Sequence, residues 1–168
     1  MEPPSPKSLR VFFNGRLPDI IPQKEGDVGV DLYLPHAWDL EVGTVCAIDL
    51  KTSFVFPDAT WGKLEMRSSA WTKAGVALLI LGGIIDTGYR GHVSVNAYVL
   101  ALKDRGGNPV SSCTLPAHCR ILQMTKMGDS TMVPTWESGL APNDTERGRL
   151  GYGSTGPTGP DIPLGTKP

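Results

Sequence analysis

The chain has 168 residues, 40% of them hydrophobic, and a formal net charge of −1. That length suits one domain with a proper core and is short for two. The near-zero charge leaves no electrostatic footprint for nucleic acid or an anionic membrane. No secretory leader is legible, and no apolar run reaches the eighteen or so residues of a membrane span. The three cysteines, Cys46, Cys113 and Cys119, have no CxxC spacing and leave one over, which favours a reduced setting. The expectation is a soluble, intracellular protein.

Met1 to Ser8 is Pro-rich and reads as a loose extended arm. Leu9 to Phe13 is the first strand signal, followed by Gly26 to Pro35, whose alternation carries Asp31 within the strand. Val45–Leu50, Ser53–Phe56 and Trp61–Met66 come next, separated by turn residues. Gly75–Leu81 is apolar throughout, as a strand buried on both faces would be. Val93–Leu102 ends in a strong turn, Asp104-Arg105-Gly106-Gly107-Asn108-Pro109, and Arg120–Lys126 reads as the last strand. One short helix is expected around Ser69 to Lys73. Frequent short strands without a long amphipathic helix, among 20 glycines and 15 prolines, predict an all-β jelly roll or barrel. From Ser138 apolar residues thin out, so the expected division is an arm over 1–8, a β domain over 9–137 and a flexible tail over 138–168.

Two stretches carry chemistry. Gly82-Gly83-Ile84-Ile85-Asp86-Thr87-Gly88-Tyr89-Arg90-Gly91 reads as a hairpin offering backbone groups, a carboxylate and a ring to one pocket. The same residues also describe an ordinary hairpin with Asp86 in its turn. In the tail, Arg147-Gly148-Arg149-Leu150-Gly151-Tyr152-Gly153-Ser154-Thr155-Gly156 supplies guanidinium groups, glycine amides, hydroxyls and an aromatic. Such a segment can wrap a phosphorylated ligand, although a plain flexible Gly-rich tail has a similar composition. No Lys follows the glycines, so it is not a Walker A loop.

Taken with three further segments, these stretches resemble the homotrimeric deoxyuridine triphosphatases (dUTPases). Five family motifs occur in family order: Val28-Gly29-Val30-Asp31-Leu32, Arg67-Ser68-Ser69, the Gly83 to Gly91 hairpin, Arg120-Ile121-Leu122-Gln123 and the Arg147 to Gly156 tail. The Arg-Ser-Ser and Gly-Gly-Ile-Ile-Asp variants look more like viral members than cellular ones. The resemblance implies a distorted jelly roll that cleaves dUTP to dUMP and pyrophosphate, keeping uracil out of DNA and supplying dUMP for dTMP synthesis. It implies Asp86 as the base for the attacking water and Tyr89 against the deoxyribose. Arg67, Ser68, Ser69 and Gln123 would bind the phosphates, and backbone groups at Leu81, Gly82 and Gly83 would read the base. Arg147 would neutralise the terminal phosphate, Tyr152 would stack on uracil, and Gly153, Ser154 and Thr155 would complete the phosphate cradle. Asp31 would hold Mg²⁺ through water. The implied assembly is a homotrimer with sites shared between subunits and the tail as a lid. A viral member would work in the cytoplasm or nucleus of an infected host cell, with a host-protein partner possible.

The departures are Met66 for a proline, Ser69 for a glycine, Leu150 for a tail glycine, and His118-Cys119 where the fourth motif has Gly-Asp. Ile80 falls where some members place an asparagine on the uracil edge. None removes a catalytic group. Two other readings stand beside the hydrolase. The fold also serves dCTP deaminases, but these place a proton-shuttling Glu where this chain has Asn96, and an amide cannot do that work. A dUTPase-like protein kept for protein contacts, with turnover weak or lost, is the other.

Overall fold

The computed structural model describes residues 8–24, 26–129 and 131–151. Its strands in chain order are β1 (Ser8–Phe13), β2 (Gly29–Leu32), β3 (Trp38–Glu41), β4 (Val45–Asp49), β5 (Thr52–Val55), β6 (Trp61–Met66), β7 (Val76–Leu81), β8 (Ile84–Ile85), β9 (Ser94–Lys103), β10 (Pro109–Val110), β11 (Ser112–Leu115), β12 (Leu122–Met127) and β13 (Val133–Ser138). One helical turn, α1 (Ser69–Thr72), follows β6. The all-β expectation with one short helix therefore holds. The strands form four sheets, ordered β13-β1-β5, β10-β9-β4 with β7 also on β9, β11-β3, and β2-β12-β6-β8. They close on one core in which Leu9, Val11, Leu32, Phe54, Leu122 and Met124 are fully buried. Each large apolar side chain of that kind contributes about 1.5–3 kcal/mol of burial.

The sheet β2-β12-β6-β8 positions most of the residues of interest, and its alternation explains how. In β12, Leu122, Met124 and Lys126 point inward, which sends Gln123 and Thr125 to the other face. Gln123 lies opposite Asp31 on β2 and Glu65 on β6, so these three polar residues form one row across the outer face. The row beneath, Val30–Met124–Leu64, belongs to the core. Lys126 carries its charge on the inner face of β12, and its Nζ donates to the Met132 carbonyl at 2.6 Å. Burial pushes its pKa down.

Four expectations about elements need correction. β12 is not the last strand: β13 follows and pairs in parallel with β1, from Ser8↔Val133 to Phe13↔Ser138. The Gly26–Pro35 strand is shorter, four residues, paired with β12 from Gly29↔Thr125 to Leu32↔Leu122. β3 and β11 pair with each other and were not legible as strands. β7 is buried on one face only: it pairs with β9, and Leu79 and Leu81 face outward and are exposed.

Among the described residues no helix is long and apolar enough to cross a membrane. Cys46, Cys113 and Cys119 are free thiols, and burial pushes all three up from the ordinary cysteine value.

Candidate functional site

Gly82 and Gly83 both have positive φ, 84° and 111°, which turns the chain sharply from β7 into β8. A Cβ on Gly83 would press on the Leu64 Cβ at 3.3 Å, and the Gly83 carbonyl accepts the Leu64 amide at 2.8 Å. β8 is thus seated on β6, with Ile85 opposite Gly62 and buried. Asp86 emerges where β8 ends, and its carbonyl accepts the Tyr89 amide at 3.0 Å to close a turn. The Thr87 hydroxyl donates to the Thr60 carbonyl at 2.5 Å and anchors that turn to the body of the fold. Beside it opens a shallow cavity of about 520 Å³, lined by Trp61, Ile84, Asp86, Thr87 and Gly88.

Three of the expected residues meet here. Arg147 Nη1 lies 2.6 Å from Asp86 Oδ2, and the same guanidinium stands over the Tyr89 ring, 5.7 Å from its centroid. Arg147 Nε donates to the Leu150 carbonyl at 2.7 Å, so the side chain is held from both ends. Tyr89 cannot swing freely, because its hydroxyl donates to the His92 carbonyl at 2.9 Å. A Cβ on Gly91 would run into that hydroxyl, which is why a glycine closes the segment. The Asp86 carboxylate is 53% exposed, so this pair is worth about 0–1 kcal/mol and exchanges readily.

A second cluster gathers residues from three other motifs. Asp31 is clamped by two arginines: Arg67 Nε sits 2.8 Å from Oδ1 and Arg120 Nη1 2.7 Å from Oδ2. Arg67 Nη1 also donates to the Arg120 carbonyl at 2.9 Å. Gln123 lies across Gly29, where any Cβ would meet its Oε1 at 2.5 Å. Ser68 and Ser69 begin α1, and Ser68 is exposed and makes no side-chain capping bond. One carboxylate against two guanidinium groups leaves the cluster net positive. That suits an anion and does not suit a dication.

Asp31 was expected to hold Mg²⁺ through water. An arginine sits on each of its oxygens, and each oxygen keeps a further acceptor site that water can use. Among the described residues no group of three or more His, Cys, Asp or Glu side chains could hold a metal.

The two clusters stand apart within one chain. From Gly62, opposite Ile85, to Arg67 is five residues of extended chain, roughly 16 Å at about 3.3 Å per residue. Asp31 lies on β2, separated from β8 by β12 and β6. Leu81 is exposed at the mouth of the hairpin, opposite Asn96 on β9. Tyr152, Gly153, Ser154 and Thr155 lie outside the described residues.

Four residues were not marked by sequence reasoning. Arg120 stands at the head of the fourth motif without a role, and only its contact with Asp31 reveals one. Arg90, Asp144 and Thr145 fasten residues 144–148 to the hairpin. The Arg90 hydrogen bond holds the Asp144 carboxyl below its ordinary range. His118, where the fourth motif has glycine, has φ of 66°, the left-handed backbone that glycine takes most easily. Its amide donates to the Leu34 carbonyl at 2.7 Å, so the turn survives the substitution.

The dUTPase family pattern matches residues 16–156. A Cutibacterium acnes protein named deoxyuridine 5'-triphosphate nucleotidohydrolase is 33% identical over 146 residues, covering 83% of this chain and 88% of its own. The Pol polyprotein of caprine arthritis encephalitis virus is 30% identical over 139 residues, 82% of this chain and 11% of the polyprotein. Among solved structures, the native EIAV dUTPase superposes with a TM-score of 0.51 at 26% identity, covering 70% of this chain and 86% of its own. The Staphylococcus bacteriophage 80alpha dUTPase, solved with dUPNHPP, gives 0.55 at 22% identity over 89% of this chain and 98% of its own, and shows likeness of fold alone. With a pattern match over most of its length and relatives of this identity, the chain belongs to the dUTPase family.

Proposed function

We propose that this chain hydrolyses dUTP to dUMP and pyrophosphate. The observation that carries the reading is the convergence of Arg147 on Asp86 and Tyr89, from segments 61 positions apart, beside a cavity that Asp86 lines. Asp86 takes a proton from water as the oxygen attacks the α-phosphorus, the bond to the bridging oxygen breaks, and pyrophosphate leaves. Arg147 must then exchange the carboxylate for phosphate, which binds a guanidinium in two-pronged fashion. The pinned Tyr89 ring packs on the sugar and leaves no room for a 2′-hydroxyl. Tyr152 covers the base, and Gly153, Ser154 and Thr155 close on the phosphates. Asp31, bonded to Arg67 and Arg120, would meet Mg²⁺ only through water, and the ion would supply charge to offset the phosphates.

Arg67, Arg120, Ser68, Ser69 and Gln123 form the anion site of a neighbouring chain's hairpin, since roughly 16 Å separates the two clusters within one chain. The outward face with Val45, Leu79, Tyr98 and Leu100, all exposed, supports contact between copies in a homotrimer. Light scattering showing a single chain that still turns over dUTP would remove the shared site. A Staphylococcus phage 80alpha dUTPase of like fold controls transfer of virulence genes, and a protein partner is a further reading.

The deciding assay is pyrophosphate release from dUTP, beside dCTP, dTTP and UTP, for the protein and Asp86→Asn. A general base contributes about 10²–10⁴ in rate, so the variant should lose at least that much. A folded protein silent on dUTP would sink the reading. Ammonia from dCTP would replace it with deamination.

A further inference from the structure

The Asp86 carboxylate is half exposed, and among the described residues it bonds only to Arg147. Its place beside the cavity is therefore set by the backbone of its turn, and that backbone is gripped at Thr87. The Thr87 hydroxyl donates to the Thr60 carbonyl at 2.5 Å, and the Thr87 carbonyl accepts Arg90 Nη1 at 2.9 Å. Asp86 gives its own carbonyl to the Tyr89 amide at 3.0 Å, and Gly88 has no side chain to grip with. Thr87 is thus the residue of this turn whose side chain fastens it to the chain ahead of β6.

Both grips are rigid. Thr60 is buried, and its amide and its hydroxyl both donate to the Pro57 carbonyl, the amide at 3.2 Å. Trp61 follows directly as the first residue of β6, the strand on which β8 is seated. Arg90, on the other side of the turn, has a buried side chain. A threonine is stiff at χ1, so its hydroxyl is aimed with little freedom. One neutral hydrogen bond is worth about tenfold at most in an equilibrium. A reacting group misplaced by about 1 Å costs about 10² in rate. The Thr87 bond therefore matters more for where Asp86 stands than for whether the chain folds.

We infer that Thr87 is a positioning residue, which through the Thr60 carbonyl holds the turn at the height from which the Asp86 carboxylate meets the attacking water. Tyr89 is held separately, by its hydroxyl on the His92 carbonyl at 2.9 Å, so base and ring can be disturbed one at a time. The anchoring rests on contacts alone; its effect on turnover rests on the hydrolase reading above.

Hydrogen exchange reports the anchor without any assay of activity. Thr87→Val keeps the shape of the side chain and removes its donor, whereas Thr87→Ser keeps the donor. The pairing of β8 with β6 and the Arg90 bond remain in both variants, so the fold survives. The Tyr89 amide closes the turn on the Asp86 carbonyl, and its exchange is followed by NMR in the full chain. It should exchange roughly fivefold faster in Thr87→Val, the worth of one hydrogen bond, and within about twofold of the parent in Thr87→Ser. An unchanged rate in Thr87→Val would remove the anchor.

For turnover, kcat on dUTP should fall by about 10–10² in Thr87→Val while KM changes by less than about threefold, and Thr87→Ser should recover most of it. The preference for dUTP over UTP should stay at the parent value, because Tyr89 keeps its own hydrogen bond. A purely structural role predicts something else. An unchanged kcat in the folded Thr87→Val protein, or a joint loss of kcat and of that preference, would overturn the proposal. If the unaltered protein fails to hydrolyse dUTP, the hydrolase reading falls while the exchange result stands.

Discussion

Arg147 Nη1 lies 2.6 Å from the carboxylate of Asp86, 61 positions earlier in the chain, and the two groups compete for different work. While the pair is made, the carboxylate proposed to take a proton is bonded to a cation. Triphosphate offers that cation a stronger acceptor and releases the base.

Arg147→Gln should therefore have opposed effects of unequal size. Freeing Asp86 from an exposed pair changes the balance by only about 0–1 kcal/mol. Losing a cation from the developing negative charge costs about 10²–10³ in rate. The expected outcome is a fall in kcat/KM for dUTP of that order, with thermal stability lowered by no more than about 3 °C. A variant faster than the parent would show that the pair is chiefly an inhibitory one.

Gly91→Ala tests the pinned ring. The new Cβ would meet the Tyr89 ring carbon Cζ at 2.7 Å, so the ring must shift while Asp86 stays in place. Discrimination of dUTP over UTP should fall by about tenfold, the scale of a small change in pocket shape. Overpacking of this kind costs about 1–3 kcal/mol, which thermal denaturation will register. Unchanged selectivity with lowered stability would take Tyr89 out of sugar recognition.

Asp31→Asn leaves two guanidinium groups without their shared carboxylate. Arg67 and Arg120 are 28% and 27% exposed, between the buried and surface extremes. A loss of about 2 kcal/mol is expected, or roughly 4–8 °C in melting temperature. Calorimetric titration with Mg²⁺ alone should give the same isotherm for the protein and for this variant. A binding heat that disappears with Asp31 would place the ion on Asp31 directly.

The contact between residues 144–148 and the hairpin carries a pH dependence whose sign follows from Asp144. A hydrogen bond from Arg90, with the charges of Arg90 and Arg10, holds its carboxyl below the ordinary range. A depressed carboxyl stabilises the docked form above the unfolded value, and that contribution is lost as pH falls through the folded one. The Gly148 amide resonance should stay constant from neutral pH down to the ordinary aspartate range and move only below it. Movement between neutrality and mild acid would implicate another group.

Much of the β architecture was legible because alternation is a local property. Burial of Leu122, Met124 and Lys126 places Gln123 on the opposite face, and the same period places Asp31 beside it. The Gly82-Gly83 turn and the position of Asp86 at a strand end were legible for the same reason. β13 was not: Pro134 interrupts its run, tolerable only because β13 is an edge strand whose partner β1 begins more than a hundred residues earlier. β3 and β11 are four residues each and define one another only by pairing across the chain.

The sequence by itself determined which groups are available: a carboxylate after a glycine turn, a tyrosine three positions on, and arginines at the heads of three motifs. Only the tertiary structure decided which of them meet. Asp31 and Arg120 are 89 positions apart, and nothing local says that the carboxylate is taken up by arginines. Charge pairing depends on distance in space, and the β2–β12 ladder sets that distance for Asp31 and Arg120.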